Sequence, residues 1–385
     1  MSSDQSIRPV TFVITELSPG GAEKCLVNLA TTIDRRRFSP QVISLKQRPE
    51  TEKSVLVERL EAGDIPVHFL NMRSAWGVPG AVRRLARILQ EQQSTLVQSF
   101  LYHANIVSAL ATRRVGIPHL AGIRVADPRR NRHRLERFFC RGTWRFVGVS
   151  QSVSRFARDI VRLPEEKVVT IPNGIDLAEI DRIDPVDLSS LGLKDVSPNG
   201  RTMAFVGRLH EQKGLKEFLE NSAGVFAKFT ELHLLLIGDG EQSVRLQKIC
   251  REQQLGSRVH FLGWRVDALS ILAAADLLVL PSRWEGMPNA VLEAMALSKP
   301  VVAFDVDGVR ELLGETSVIQ LAPANDHVQL CERIERMLQD KQFALRAGQL
   351  NRERVKQEFS LEQMVYAYEK LYDQWFAHGS EQQET

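Results

Sequence analysis

The sequence predicts two α/β domains in tandem, each a doubly wound, Rossmann-like parallel sheet, and three observations carry that prediction. Short apolar runs alternate with segments of helical apolar spacing through most of the 385 residues. The alternation halts at Pro172-Asn173-Gly174 and a polar stretch, then restarts at Met203. The charge also changes sign at the break: through Asn173 there are 27 Lys+Arg against 15 Asp+Glu, and beyond it 23 against 32. Repeated βα units give parallel sheets covered by helices on both faces. Two such series with opposed charge predict two domains with different partners and a cleft between them.

In the first half the strands are read at Thr11–Ile14, Gln41–Leu45, Val67–Leu70, Leu96–Phe100, His119–Ile123 and Phe146–Val149. Helical spacing such as Val82, Leu85, Ala86, Leu89 lies between them. Asp176 to Gly200 is polar and reads as an interdomain connection. The second series has strands at Met203–Val206, Leu234–Ile237, Val259–Leu262, Leu278–Leu280 and Val301–Phe304. From Asp326 to about Phe376 the pattern is helical.

Composition narrows the function. With 25% charged residues the chain has the make-up of a soluble globular protein. No apolar run approaches the roughly 20 residues that span a bilayer. The polar N-terminus leads straight into a strand, so no secretory leader is expected. Cys25, Cys140, Cys250 and Cys331 are widely spaced, which points to reduced structural thiols in a cytoplasmic protein rather than a zinc site.

The richest segment is Ser282-Arg283-Trp284-Glu285-Gly286-Met287-Pro288-Asn289-Ala290-Val291-Leu292-Glu293. It follows an apolar strand and opens a helix, and its carboxylates, Glu285 and Glu293, bracket the turn. In open parallel sheets ligands bind beyond the carboxyl ends of strands. A helix N-terminus suits phosphate, and nearby carboxylates suit hydroxyls. The segment therefore points to a phosphorylated, polyhydroxylated ligand such as a nucleotide sugar. Gly207-Arg208-Leu209-His210-Glu211-Gln212-Lys213-Gly214 follows the first strand of the second series, and its two cations can converge on a diphosphate. Gly20 and Gly21 occupy a similar strand–helix turn in the first series. Gly238-Asp239-Gly240 lacks the third glycine of a dinucleotide fingerprint, so it reads as a turn and not an NAD site. Asp305-Val306-Asp307 resembles a D-x-D metal motif but reads better as helix-capping acids, because Arg208 and Lys213 already supply positive charge. Arg124 to Arg145 holds eight arginines interleaved with Phe138, Phe139 and Trp144, a composition suited to an anionic membrane surface. No nucleic-acid module accompanies it.

Together these motifs resemble glycosyltransferase family 4, retaining enzymes of the GT-B fold, along nearly the whole chain. The most specific element is the E-x7-E pair, Glu285 and Glu293. Val206-Gly207-Arg208-Leu209 with Lys213-Gly214, Pro19-Gly20-Gly21-Ala22-Glu23, Tyr102-His103-Ala104-Asn105 and Pro172-Asn173-Gly174-Ile175-Asp176 fall in the family's order. The resemblance implies an N-terminal acceptor-binding domain over residues 1–173, a linker over 174–200, and a C-terminal donor-binding domain over 201–360. A final helix, 361–376, would cross back onto the first domain.

It also implies residue roles. Arg208 and Lys213 bind the diphosphate, Glu285 holds donor-sugar hydroxyls and Glu293 the ribose. The loop Gly286, Met287, Pro288, Asn289 and Ala290 meets sugar or phosphate, with Gly207, Gly20 and Gly21 approaching the diphosphate. His103 lies near the transferred sugar, with Asn105 and Arg124 on the acceptor side. The reaction would be hexosyl transfer from a nucleotide-diphosphate sugar to a lipid-linked or saccharide acceptor, as in envelope or exopolysaccharide assembly. It would need no metal and no other cofactor, and would run in the cytoplasm at the inner face of the plasma membrane, without nucleic acid. Where the family often has Gly-Gly before Val-x-Glu, this chain has Asp307-Gly308. Two other functions compete: sugar-nucleotide binding without turnover, and glycoside hydrolysis by the two carboxylates. The second needs acids on opposite sides of the scissile bond, whereas both acids here come from one loop–helix unit.

Overall fold

The computed structural model describes residues 7–127, 129–193, 196 and 200–381. The chain divides into two units, Met1–Gly174 with Leu361–Thr385, and Ile175–Ser360. The extreme N-terminus, on which the leader expectation rests, lies outside the described residues.

The N-terminal unit is built on β1 (Arg8–Ile14), β2 (Phe38–Ser44), β3 (Val67–Phe69), β4 (Leu96–Phe100), β5 (His119–Ile123), β6 (Arg145–Gly148) and β7 (Val168–Thr170). All pair in parallel, in the order β3-β2-β1-β4-β5-β6-β7. Side chains alternate across each strand, so β1 divides its apolar residues between two cores. Val10, Phe12 and Ile14 pack with the helix Gly21–Thr32 and with Tyr368 and Tyr372 of the last helix. Val13 faces the other way, with Ile43 and Val97, towards the helices Val78–Glu91 and Tyr102–Val115. The last helix, Leu361–Glu381, is fastened to this unit by ions: Arg37 pairs with Glu369 at 3.3 Å and also with Asp373. The Asp34 N–H donates to the Glu369 carboxylate at 2.8 Å.

The C-terminal unit is built on β8 (Arg201–Val206), β9 (Leu232–Ile237), β10 (Val259–Gly263), β11 (Leu277–Leu280), β12 (Val301–Phe304) and β13 (Leu321–Ala322). Again all are parallel, in the order β10-β9-β8-β11-β12-β13.

Three features differ from the sequence reading. β7 and β13 are only three and two residues long, too short to give a periodic signal. The long helical stretch is three helices, His327–Gln339, Lys341–Glu358 and Leu361–Glu381. Asp340 causes the first break, because its carboxylate accepts from the Phe343 N–H at 2.9 Å and caps a new helix. The stretch read as a linker carries the short helix Leu177–Ile180, capped by Asp176, and belongs to the C-terminal unit, where the Val186 N–H donates to Ser270 O at 3.1 Å. Residues 194, 195 and 197–199 of that stretch lie outside the described residues. Among the described residues no helix is long and apolar enough to cross a membrane.

Candidate functional site

Each sheet order contains one point where the chain reverses its direction of travel, between β1 and β4 in the first unit and between β8 and β11 in the second. Loops leaving adjacent strands at such a point part to opposite faces and leave a crevice. In the C-terminal unit the two loops are Gly207–Gly214 and Pro281–Pro288, the two segments marked by the sequence.

Glycines let these loops meet. Gly214 has φ +63, and a Cβ there would lie 2.0 Å from the Pro281 carbonyl oxygen. Gly238, after β9, has φ +141 and would place a Cβ 2.0 Å from Gly207 O. Its role is thus close approach of two strand ends, consistent with a turn. Polar side chains then lace the loops together. Gln212 Nε2 donates to Trp284 O at 2.8 Å, and the Arg283 N–H donates to Gln212 O at 2.8 Å. Arg283 also spans Glu211 at 2.8 Å and Glu217 at 2.7 Å. Sequence reading missed Gln212 and Arg283, since nothing in their local spacing marks partners about 70 residues away.

At the centre Lys213 Nζ donates to Glu285 Oε1 at 2.5 Å, with both side chains largely buried. Arg208 is exposed and makes no ion pair among the described residues. Gly286, Met287 and Pro288 are buried, and Pro288 is the N-cap of the helix Asn289–Ala296. That end of the helix carries the partial positive charge of the aligned peptide dipoles. Glu293 is buried one turn further on.

Asp307 joins this cluster from β12, the neighbour of β11. Its backbone is in a region few residues other than glycine enter, φ 29 and ψ −127. Burial pushes its carboxyl above the usual aspartate range, and the Glu285 and Glu311 carboxylates add to the push, against an opposing hydrogen bond from the Glu285 main chain. Asp305, its partner in the D-x-D reading, is bound by Arg310 Nε at 2.9 Å. Among the described residues no group of three or more His, Cys, Asp or Glu side chains converges on a common point.

In the N-terminal unit the switch-point loops carry Gly20-Gly21 and His103. The helix Gly21–Thr32 starts here with Gly20 as N-cap, but Glu23 folds back over it. A Cβ on Gly20 would lie 2.4 Å from a Glu23 carboxylate oxygen. The Glu23 carboxylate thus lies over the glycine read as a place for phosphate. His103 is the second residue of the helix Tyr102–Val115, which follows Leu101, whose φ is 74. Desolvation, then Arg132, Lys46 and Arg129, lower its pKa and favour the neutral ring. Arg124 is buried, donates to Asn173 and lies over the Phe100 ring.

Asn105 differs from its expected place on an acceptor surface. It is 1% exposed, and all its polar atoms are engaged. Its Oδ1 accepts from Ser99 at 2.7 Å, and its Nδ2 donates to Gly122 O at 3.0 Å and to Glu136 at 2.8 Å. It organises the interior of the unit.

Two doubly wound units with crevices at their switch points are the architecture of the GT-B fold, and comparison with known proteins agrees. A solved structure of Anabaena Alr3699/HepE, in complex with UDP and glucose, superposes with a TM-score of 0.81 over 95% of this chain and 100% of that one, at 21% identity. The family model described as "Glycosyltransferase Family 4" matches residues 19–179, and the one described as "Glycosyl transferases group 1" matches residues 200–340. The UDP-Gal:alpha-D-GlcNAc-diphosphoundecaprenol alpha-1,3-galactosyltransferase of Escherichia coli is 28% identical over 67% of this chain and 70% of its own. The lipopolysaccharide core biosynthesis glycosyltransferase LpsE of Rhizobium meliloti is 28% identical over 49% of this chain, which spans 54% of that relative's length. The chain belongs to the family 4, group 1 glycosyltransferases, and it is a transferase enzyme.

Proposed function

We propose that this enzyme moves a hexosyl group from a nucleoside-diphosphate sugar to a hydroxyl of a lipid-linked or saccharide acceptor in envelope or exopolysaccharide assembly, with retention of configuration. The observation that carries the reading is the Lys213–Glu285 pair beside the exposed Arg208 at the switch point of the C-terminal sheet. As the glycosidic bond to the donor breaks, charge accumulates on the leaving diphosphate. Cations fixed at that place stabilise the transition state more than the ground state.

In this reading Lys213 and Arg208 take the diphosphate, and Gly207 leaves room for it. Glu285 orients Lys213 and accepts from donor-sugar hydroxyls, while Glu293 accepts from the ribose. Main-chain N–H groups of Met287, Asn289 and Ala290 add donors. The N-terminal unit takes the acceptor, with a neutral His103 close to the transferred sugar and Arg124 behind it. Gly20 and Gly21 approach the diphosphate once Glu23 swings aside. The leaving phosphate deprotonates the acceptor hydroxyl as it attacks from the same face. The two side-chain cations neutralise the leaving group, so no metal or other cofactor is required. The relatives' names, a diphosphoundecaprenol acceptor in one and lipopolysaccharide core in another, support an acceptor of the envelope class. With the basic Arg124–Arg145 segment, they support work against an anionic membrane, at the inner face of the plasma membrane.

A thermal-shift panel of nucleoside diphosphates and their sugars tests the donor side, because a bound ligand raises apparent stability by mass action. One base and one sugar should stand out, and transfer of that sugar to a lipid-diphosphate acceptor should follow with the anomeric configuration kept. An inverted product would overturn the retaining mechanism, and release of free sugar from a simple glycoside would favour hydrolysis instead.

A further inference from the structure

On the edge of the N-terminal sheet opposite His103 and Gly20 lies a cavity of about 220 Å³ that the transfer reaction does not use. It opens at the amino ends of β6 and β7. Arg137 and Arg141 reach it from the end of the arginine-rich helix, and Arg162 and Lys167 from the connection into β7. Buried Phe146 and Leu163 supply its apolar lining. No carboxylate lines it, and none of the four cations forms an ion pair among the described residues. By contrast Arg129 and Arg132, at the other end of the same helix, are both bound to Asp127. Glu165 and Glu166 lie next in sequence to Lys167 but do not reach the cavity.

The helix Arg130–Phe139 turns its two buried polar residues, His133 and Glu136, inward. Arg130, Arg134, Arg137 and Phe138 form an exposed stripe along it, with Phe138 54% exposed, and the exposed Arg141 follows in the 3-10 turn Cys140–Gly142. The cavity sits at the C-terminal end of that stripe.

We propose that this cavity seats the phosphate headgroup of an anionic phospholipid, so that the N-terminal unit docks on the membrane through a specific lipid site and not through diffuse charge alone. The proposal rests on the membrane reading above and sharpens it. Four uncompensated cations around one cavity favour an anion, and Arg forks suit a phosphate's oxygens. The volume equals that of about seven waters, enough for a phosphodiester group. The apolar lining and the exposed Phe138 beside it suit the glycerol and upper acyl region of an amphiphile, which a free ion or a polynucleotide lacks.

The test uses the full chain and two charge-matched double variants. Arg141→Gln with Arg162→Asn strips the cavity, with Asn chosen because Arg162 has φ 61. Arg130→Gln with Arg134→Gln removes the same charge from the stripe away from the cavity. Melting temperatures confirm that each variant is folded. Binding is read by flotation with phosphatidylcholine vesicles, with and without phosphatidylglycerol. Surface attraction alone costs both pairs the same loss, on the order of tenfold. A seated headgroup costs the cavity pair about a further tenfold. A short-chain phosphatidylglycerol below its micelle threshold should also raise the melting temperature of the wild type and of the stripe variant, but not of the cavity variant, while inorganic phosphate at equal concentration should not. Equal losses from the two pairs would overturn the cavity and leave the membrane reading standing. No preference of the wild type for anionic vesicles would overturn both. Equal stabilisation by inorganic phosphate, or tighter capture of an oligonucleotide than of vesicles, would overturn the lipid as occupant.

Discussion

Lys213 and Glu285 are 72 residues apart in sequence, yet the ammonium stands 2.5 Å from the carboxylate, and Glu285 is 5% exposed. A buried pair of this kind is held together because either charge alone would be stranded away from water. Stability and catalysis can therefore be separated at this pair. Lys213→Met should lower unfolding free energy by about 3 kcal/mol, because it leaves the Glu285 charge unpaired. Adding Glu285→Gln should restore most of that loss. Turnover should not recover: each variant should lose on the order of 2–4 kcal/mol of transition-state stabilisation. Urea unfolding and kcat/KM of the single and double variants measure both, and near-normal turnover of Lys213→Met would remove this residue from the mechanism.

Gly214 is the steric condition for that pair. With φ +63 and the Pro281 carbonyl where a Cβ would go, alanine cannot fit without moving one loop off the other. Gly214→Ala should cost about 2 kcal/mol or more through backbone strain and displacement together. Affinity for the nucleoside diphosphate should fall as well. A variant that binds the diphosphate normally would show that the two loops need not touch.

Asp307 is a strained acid beside an acid. Its φ of 29 suits glycine, and its half-buried carboxyl feels the charge of Glu285. Asp307→Gly should stabilise the C-terminal unit by about 1 kcal/mol, the strain relieved less the extra freedom of glycine in the unfolded chain. It should also tighten diphosphate binding by removing a like charge. Because the folded pKa is raised, the folded state holds this proton more firmly than the unfolded chain. The wild type therefore loses stability as pH rises through the range just above the ordinary aspartate value. That slope should be shallower in the glycine variant, as followed by chemical denaturation from pH 3.5 to 6.

Most of the sheet architecture was legible because parallel strands buried on both faces are continuous apolar runs, as at Leu234–Ile237. The site's outline was legible too, since Arg208, Lys213 and Glu285 lie on loops that follow such runs and Glu293 lies on the helix that one of those loops opens. What the sequence concealed is which side chains meet. Lys213 and Glu285 both read as ligand groups, and nothing local says that they bind each other. Glu23 reads as an ordinary first-turn acid, yet it covers the very glycine marked for phosphate. Asn105 sits one turn into a helix beside His103, and only the packing of the helix shows that one faces out and the other is buried. Such outcomes depend on tertiary register and on which pairs compete for one another, and neither has a spacing signature.

Glu136 gives the arginine-rich helix a pH dependence. It is that helix's one acid and points inward to Asn105, in a network that continues through Ser99 to His119 at 2.7 Å and from there to Thr143 at 2.9 Å. Burial raises its pKa to about 7, with the Asn105 hydrogen bond and Arg132 pulling the other way. Burial alone holds His119 neutral, with a pKa near 3, so it offers no countercharge. The folded state thus keeps a proton on Glu136 between the ordinary glutamate range and about pH 7, where the unfolded chain has lost it. Stability should fall as pH rises through that window and level off above it. Glu136→Gln keeps a neutral partner for Asn105 and removes the titration. It should be close to wild type at pH 5 and more stable by on the order of 2 kcal/mol at pH 8. Thermal melts of both proteins between these pH values measure the difference. Parallel curves across the range would mean that Glu136 is ionised in the folded protein, its charge compensated by Arg132.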